Sequence, residues 1–390
     1  MHELSRRLTR QFRVTVLCPH AKNAAARENS DGVTVVRYRY APQSMETLVN
    51  DGGIVTNLKR HPWKWLLVPG FVLAQLLVAR RLMRRERFDI IHAHWLLPQG
   101  LIARVLSRTT DVPYVVTSHG GDLFGLKGWL PDWLKRGVAG SAAAMTVVST
   151  AMSEEVVRLR LSPRRLEVLP MGVDFSTRFV PDPAIQRDTD HLLFVGRLVP
   201  KKGLPLLLQA LPQVLDERPG TRLTIVGFGP EEAALRSQAR SLGLESVVHF
   251  AGALAQYQLP DLYRRATLFV APFVRDRDGN QEGLPVVLME AIGCGCPAVV
   301  GEVAGIRDLV GDAQDDVCVD PRVPGALATA VLAALHNPDR ARLQADRIRR
   351  AAAARVDWEV VSGGYARVLL AHSGRNGTSA PRNLSDTACG

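Results

Sequence analysis

The stretch Leu192-Leu193-Phe194-Val195-Gly196-Arg197-Leu198-Val199-Pro200-Lys201-Lys202-Gly203 decides how this chain reads. A short unbroken apolar run is the pattern of a strand buried on both faces. It stops at a glycine, a basic pair follows, and an apolar helical pattern starts at Leu204. Gly196 lets the backbone turn sharply and approach a ligand. Arg197 offers a planar fork of donors suited to phosphate, and Lys202 adds a point charge. The next helix contributes its partly positive N-terminus. Taken alone, the segment also reads as a solvated basic loop.

The same alternation extends in both directions. Upstream, strands are predicted at 14–18, 33–38, 90–93, 114–117, 144–148 and 166–169, with helices such as 73–85 and 97–107 between them. A Pro- and charge-rich stretch at 181–190 interrupts the pattern and reads as a linker. Downstream, strands are predicted at 192–195, 223–226, 247–250, 268–271, 298–300 and 317–319, with helices near 204–216, 231–242, 285–292 and 324–335. Short apolar strands separated by helices make parallel sheets covered on both faces. The expected fold class is α/β, with two doubly wound Rossmann-like domains and a ligand cleft between the carboxyl ends of their sheets. The expected units are 1–183, 184–355, a helix at 356–372 returning to the first unit, and a disordered polar tail at 373–390.

The 390 residues carry 46% hydrophobic and 22% charged side chains, an ordinary globular composition. The net charge of +11 is uneven: residues 1–180 hold 26 Lys+Arg against 14 Asp+Glu, leaving the remainder near neutral. A basic surplus confined to one half points to an anionic partner. No zinc-finger spacing, basic zipper or RNA-binding aromatic signature is present, which argues against nucleic acid. The five cysteines are few and scattered, as in reduced core thiols. The start is polar, and the apolar run 65–79 is too short to span a bilayer. Segment 59–65 joins three basic residues to Trp63 and Trp65, a composition suited to a lipid headgroup interface. The expectation is a cytoplasmic protein in peripheral contact with the anionic inner face of the membrane.

Three more segments carry chemistry. In Glu282-Gly283-Leu284-Pro285-Val286-Val287-Leu288-Met289-Glu290, Pro285 suits the first turn of a helix. Amides of Gly283 and Leu284 at that helix start could hold a diphosphate. Glu282 and Glu290 would be repelled by it unless they face hydroxyls, one on a sugar and one on a ribose. Ser118-His119-Gly120-Gly121-Asp122 follows a strand, which puts His119 at the edge of the cleft. His92 and His94 share one strand face and lack an acidic or thiol partner, so no metal site is expected there. The D-x-D pairs 276–278 and 188–190 read as solvated loops rather than a magnesium site.

In this order, the segments resemble the family 4 (group 1) retaining glycosyltransferases of GT-B fold. The matching pieces are 89–94, 117–120, 169–174, 195–197 with Lys202-Gly203, 226–230, and the E-x7-E run from Glu282 to Glu290. The resemblance covers about residues 1–370. It implies a nucleoside-diphosphate sugar donor and no cofactor or bound metal. Gly196, Arg197, Lys202, Gly283, Leu284 and Glu290 would bind the donor, with Arg197 and Lys202 on the diphosphate and Glu290 on the ribose. Glu282 would face the sugar near the anomeric carbon, and His119 the sugar or an acceptor phosphate across the cleft. The implied reaction is retaining transfer by front-face attack, to a lipid-linked or saccharide acceptor in cell-surface glycan synthesis.

The resemblance departs at the start. The family begins with a strand and a glycine-rich loop, whereas this sequence opens inside what reads as the following helix, 3–11. A non-catalytic sugar-nucleotide-binding protein or truncated inactive paralogue is therefore the alternative in another class. A UDP-sugar epimerase of the same fold is the alternative among enzymes.

Overall fold

A computed structural model describes residues 1–49 and 54–374. The C-terminal domain has six parallel strands: β8 (His191–Val195), β9 (Arg222–Val226), β10 (Val248–Gly252), β11 (Leu268–Ala271), β12 (Ala298–Gly301) and β13 (Cys318–Val319). Their order in the sheet is β10-β9-β8-β11-β12-β13. The chain builds outward from β8 to one edge, then returns to the centre at β11 and builds to the other edge. That reversal opens a crevice beyond the carboxyl ends of β8 and β11. β8 and β11 are buried throughout, so their apolar runs have no polar alternation.

The described N-terminal strands form two separately bonded sheets rather than one. β1 (Thr15–Pro19) pairs in parallel with β3 (Val33–Tyr38), which pairs antiparallel with β2 (Arg27–Ser30). β4 (Ile91–His94), β5 (Tyr114–Ser118), β6 (Ala144–Val147) and β7 (Leu166–Val168) form a parallel sheet in that order. Leu17 of β1 and Ile91 of β4 both pack on one cluster around Ala79, Ile102 and Leu106, so two helices hold the two sheets together. β2 was not foreseen: Arg27-Glu28-Asn29-Ser30 is a polar edge strand with no apolar period. The helix expected at 3–11 is His2–Leu8.

The helix expected at 73–85 runs continuously from Pro62 to Arg85, 24 residues long enough and apolar enough to cross a membrane. Leu67, Phe71, Gln75 and Ala79 recur at four-residue spacing and are buried. This stripe packs on the domain, and the helix is one of its layers.

The chain crosses between domains twice, side by side. Val173 donates its N–H to Val356 O at 2.8 Å, and Trp358 donates back to Val173 O at 3.2 Å. Asp357 accepts from Phe175 N at 3.1 Å and caps the last helix through Glu359 N at 2.8 Å. That helix, Trp358–His372, then packs with Leu4, Leu8, Val115 and Ala144 of the N-terminal domain. Trp358 is the pivot: its ring lies flat on Gly172, where a Cβ would come within 2.4 Å. Of the disordered tail expected at 373–390, Ser373 and Gly374 are bonded to Leu370 and Asp89, and residues 375–390, with Cys389, lie outside the described residues.

Removing this ring leaves a large cavity at the crossing. Trp358→Ala should destabilise the protein by about 3–5 kcal/mol. Calorimetry should show the loss as a lower melting temperature; an unchanged transition would show that the last helix is only loosely attached.

Candidate active site

The basic turn after β8 is folded against the end of β11. Pro200–Lys202 forms one tight turn and Gly203 closes it at φ +68, where a Cβ would lie 1.8 Å from the carbonyl oxygen of Pro272. Only glycine fits there. This closure buries Lys202, which is 8% exposed, with its ammonium 4.6 Å from the centre of the Phe273 ring.

Glu282, from the loop before the helix Val286–Gly293, meets the basic turn. Its Oε1 lies 3.0 Å from Lys201 Nζ and 3.3 Å from Lys202 Nζ. Burial opposes ionisation of Glu282, but the two lysines overcome it and hold its pKa at about 2. Burial likewise lowers the pKa of Lys202, and Glu282 offsets part of that. Partial desolvation also lowers that of Arg197, against the pull of Glu282. Three cations therefore gather around one carboxylate at the mouth of the crevice. Lys201 was not singled out from the sequence; its adjacency to Lys202 in a tight turn was the available signal.

The N-terminus of Val286–Gly293 points into the same place, with Val286 and Val287 amides beyond the reach of intrahelical acceptors. Gly283 is less open than expected. It abuts Gly120, at which a Cβ would sit 3.2 Å from the Gly283 nitrogen. Leu284 is 9% exposed. Two glycines thus let the domains touch beside the basic turn.

Glu290 is turned away from Glu282. It is 3% exposed and accepts from Tyr263 Oη at 3.1 Å and Gln256 Nε2 at 3.4 Å. Burial raises its pKa, and these two donors moderate the rise. The two carboxylates therefore face different compartments, one with lysines and one with neutral hydrogen-bond donors. Tyr263 and Gln256 were not legible beforehand, because they lie 27 and 34 residues from Glu290.

The facing wall comes from β4 and β5. His119 Nε2 is 3.0 Å from His94 Nδ1, and His92 Nε2 is 2.7 Å from Thr117 Oγ1. The rings keep an edge on the cleft but are enclosed on most sides. Burial, with repulsion from His119, lowers the pKa of His92 to about 3; burial lowers that of His119 to about 4 against the pull of Asp122. His94 is lowered too, by burial and by its two histidine neighbours. All three rings are neutral at pH 7. Fully buried Asp122 accepts from Ser118 Oγ at 2.8 Å, His119 N at 3.2 Å and Leu96 N at 2.7 Å, fixing the loop that carries His119.

The D-x-D carboxylates have structural partners. Asp276 accepts from Asp278 N and Asn280 N, Asp188 pairs with His191 and Arg222, and Asp190 with Arg218. The four described cysteines are free.

A doubly wound domain with a buried lysine at its strand-order reversal, facing a second α/β domain across a cleft, is the architecture of the GT-B glycosyltransferases. Residues 1–177 match the Glycosyltransferase Family 4 family, and residues 176–354 match Glycosyl transferases group 1. The D-inositol 3-phosphate glycosyltransferase of Frankia alni is 32% identical over 307 residues, 72% of this chain and 73% of that protein. The glycogen synthase of Mycobacterium tuberculosis is 28% identical over 368 residues, 91% and 85% of the two chains. Among solved structures, a sucrose-phosphate synthase from Thermosynechococcus elongatus superposes with a TM-score of 0.77 at 21% identity, covering 95% of this chain and 92% of that one. Anabaena HepE in complex with UDP gives 0.70 at 20% identity, covering 92% and 100%. This chain belongs to the family 4, group 1 glycosyltransferases, and it is a glycosyltransferase.

The neutral histidines set an acid limit. Between pH 6.5 and 4 the unfolded chain binds protons on these rings while the folded one does not, so stability falls as pH falls through that window. Glu282, held at about 2, should contribute its loss only below about pH 4.5. Melting temperatures from pH 7.5 to 4.5 should drop less steeply for His119→Asn than for the native chain. Parallel curves would remove the histidines as the cause.

Proposed function

We propose that the chain transfers a sugar, with retention, from a nucleoside-diphosphate sugar to a lipid-linked or saccharide acceptor at the inner face of the membrane. On this reading residues 184–355 hold the donor, 1–183 the acceptor, and 356–372 tie the two together. The observation that carries it is the Arg197–Lys201–Lys202–Glu282 cluster beside a helix N-terminus. Buried Lys202, partly exposed Lys201 and exposed Arg197 line this side of the crevice, and a diphosphate is a ligand whose charge suits them.

As the diphosphate leaves, its growing charge falls on Arg197, Lys201, Lys202 and the amides of Val286 and Val287. Such preorganised electrostatics is usually the largest catalytic term. Glu282 accepts from sugar hydroxyls near the reacting carbon. The family resemblance implies front-face attack, in which the leaving phosphate takes the acceptor's proton. Neutral His119 donates to the sugar without competing for the diphosphate. Glu290 accepts from the ribose. No bound metal is part of this scheme.

Arg197→Ala and Lys202→Ala should each lower kcat/KM by roughly 2–4 kcal/mol of transition-state stabilisation. Glu282→Gln should reduce kcat more than nucleotide affinity, and Glu290→Gln should weaken binding of free nucleoside diphosphate. Equal nucleotide affinities in the two glutamine variants would overturn this division of roles.

The membrane part is supported by exposed apolar and basic residues on two helices. Trp65 and Leu66 are 61% and 82% exposed. Leu73 and Leu77 continue the outer stripe of the helix Leu67–Arg85, which ends in exposed Arg80, Arg81, Arg84 and Arg85. Trp129 and Trp133 are 83% and 60% exposed on the helix Trp129–Ser141. Both helices precede strands of one parallel sheet, so both begin at its carboxyl edge, the cleft end. Lys64 does not take part: it is buried and donates to Asn57 Oδ1 at 2.8 Å. Each exposed arginine near an anionic leaflet contributes about 1 kcal/mol. Sedimentation should show binding to anionic vesicles but not neutral ones, lost at high salt and in an Arg80/Arg81/Arg84→Gln variant. Failure to bind either vesicle would leave a soluble acceptor.

A further inference from the structure

Trp95 stands at the carboxyl end of β4 with a backbone that tryptophan rarely adopts. Its φ is +85 and ψ 133. A positive φ on so bulky a side chain is an outlier, and outliers of this kind gather at ligand sites, where the surroundings over-determine them. Here they do. Trp95 N donates to Thr117 O at 2.7 Å, and its carbonyl accepts from Gly100 N at 3.0 Å. The next amide, Leu96 N, is held by Asp122. Asp122 is the same buried carboxylate that fixes His119. One group therefore sets both the tryptophan and the cleft histidine.

The side chain does not use this conformation to bury itself. Ala93 is 5% and Leu96 0% exposed, while Trp95 between them is 41% exposed. The Cβ that Gly121 lacks would lie 3.6 Å from Cη2 and Cζ3 of the indole. The ring therefore rests by one edge on the glycine next to Gly120, which touches Gly283 of the donor domain. The indole thus borders the cleft beside His119, on the wall opposite the cations.

We infer that Trp95 is the stacking platform of the acceptor subsite, and that it takes the apolar C–H face of an uncharged hydroxylated ring, a pyranose or a cyclitol. The inference rests on the glycosyl-transfer reading and names the acceptor's chemistry. An indole face attracts polarised C–H groups, while the rim of hydroxyls on such a ring needs groups that both donate and accept. His119 and His94, both neutral, are such groups, and they offer little attraction to a phosphate at this position. The anion sites lie on the other wall.

The test is saturation-transfer NMR on the full chain with methyl α-D-glucopyranoside, methyl α-D-mannopyranoside and myo-inositol, each without nucleotide, and with uridine as a flat aromatic control. At least one of the three rings should bind, with transfer strongest to the C–H protons of one face. Trp95→Ala should weaken that binding about tenfold, and Trp95→Phe should recover part of it. Uridine should not compete. UDP and GDP binding, measured separately, reports on the donor half and shows that each variant is folded. The inference is overturned if none of the three rings binds the native chain, if binding survives Trp95→Ala unchanged, or if uridine displaces the ring. Failure of both nucleotides to bind would instead count against the donor reading, and the ring measurements stand without it.

Discussion

The site depends on one lysine, Lys202, that the fold holds out of water beside Glu282. Lys201 and Lys202 meet Glu282 at 3.0 and 3.3 Å, with Arg197 close enough to feel the same carboxylate. Burying an ion costs several kcal/mol unless it is paired, and Lys202 shares the Glu282 carboxylate with Lys201. Lys202 stays there because the backbone leaves it no escape. Gly203 tucks the turn under Pro272, and the Phe273 ring covers the Lys202 ammonium.

The second wall is positioned against that centre by close approaches between backbones. Gly120 meets Gly283, and the Cβ that Gly305 lacks would lie 3.0 Å from Ser149 Cβ of the N-terminal half. No side chain fits at these points, so small shifts between the domains reach the site directly. The paired crossings at Val173 and Asp357 restrict such shifts to a rotation about two adjacent strands of chain. Lys127 donating to the Asp278 carbonyl at 2.8 Å closes the far side of the cleft.

Much of this was legible because the central strands β8 and β11 are buried on both faces and read as plain apolar runs. The strands at 33–38 and 268–271 fall where the sequence places them. Elements without an apolar period were not legible. β2 is a polar edge, and the helix Pro338–Val356 shows only Ala345, Ile348, Ala352 and Val356 to the core among its many charges. The site followed the same rule. Gly196, Arg197, Lys202 and Glu282 sit in local motifs that the family resemblance singles out. Tyr263 and Gln256 reach Glu290 only through the fold. The inward turn of Lys64 depends on Asn57 and on the carbonyl of Thr47, which a composition of basic and aromatic residues does not reveal.

The basic surplus of the N-terminal half takes a different meaning once it is placed. At the carboxyl ends of β4 and β5 the groups facing the cleft are neutral imidazoles, an indole and a buried carboxylate. The Met1 amine near them is itself pushed toward neutrality by burial. The arginines of that half lie instead on outer surfaces, such as the end of the helix Leu67–Arg85. Cations that neutralise a leaving group must be dry and fixed, because their value comes from a low dielectric. Cations that hold a protein to a charged surface must be wet and numerous, because each acts through solvent and is screened by salt. The dry lysine of this chain lies beside Glu282 in the second half, and wet Arg80, Arg81, Arg84 and Arg85 lie on an outer helix of the first.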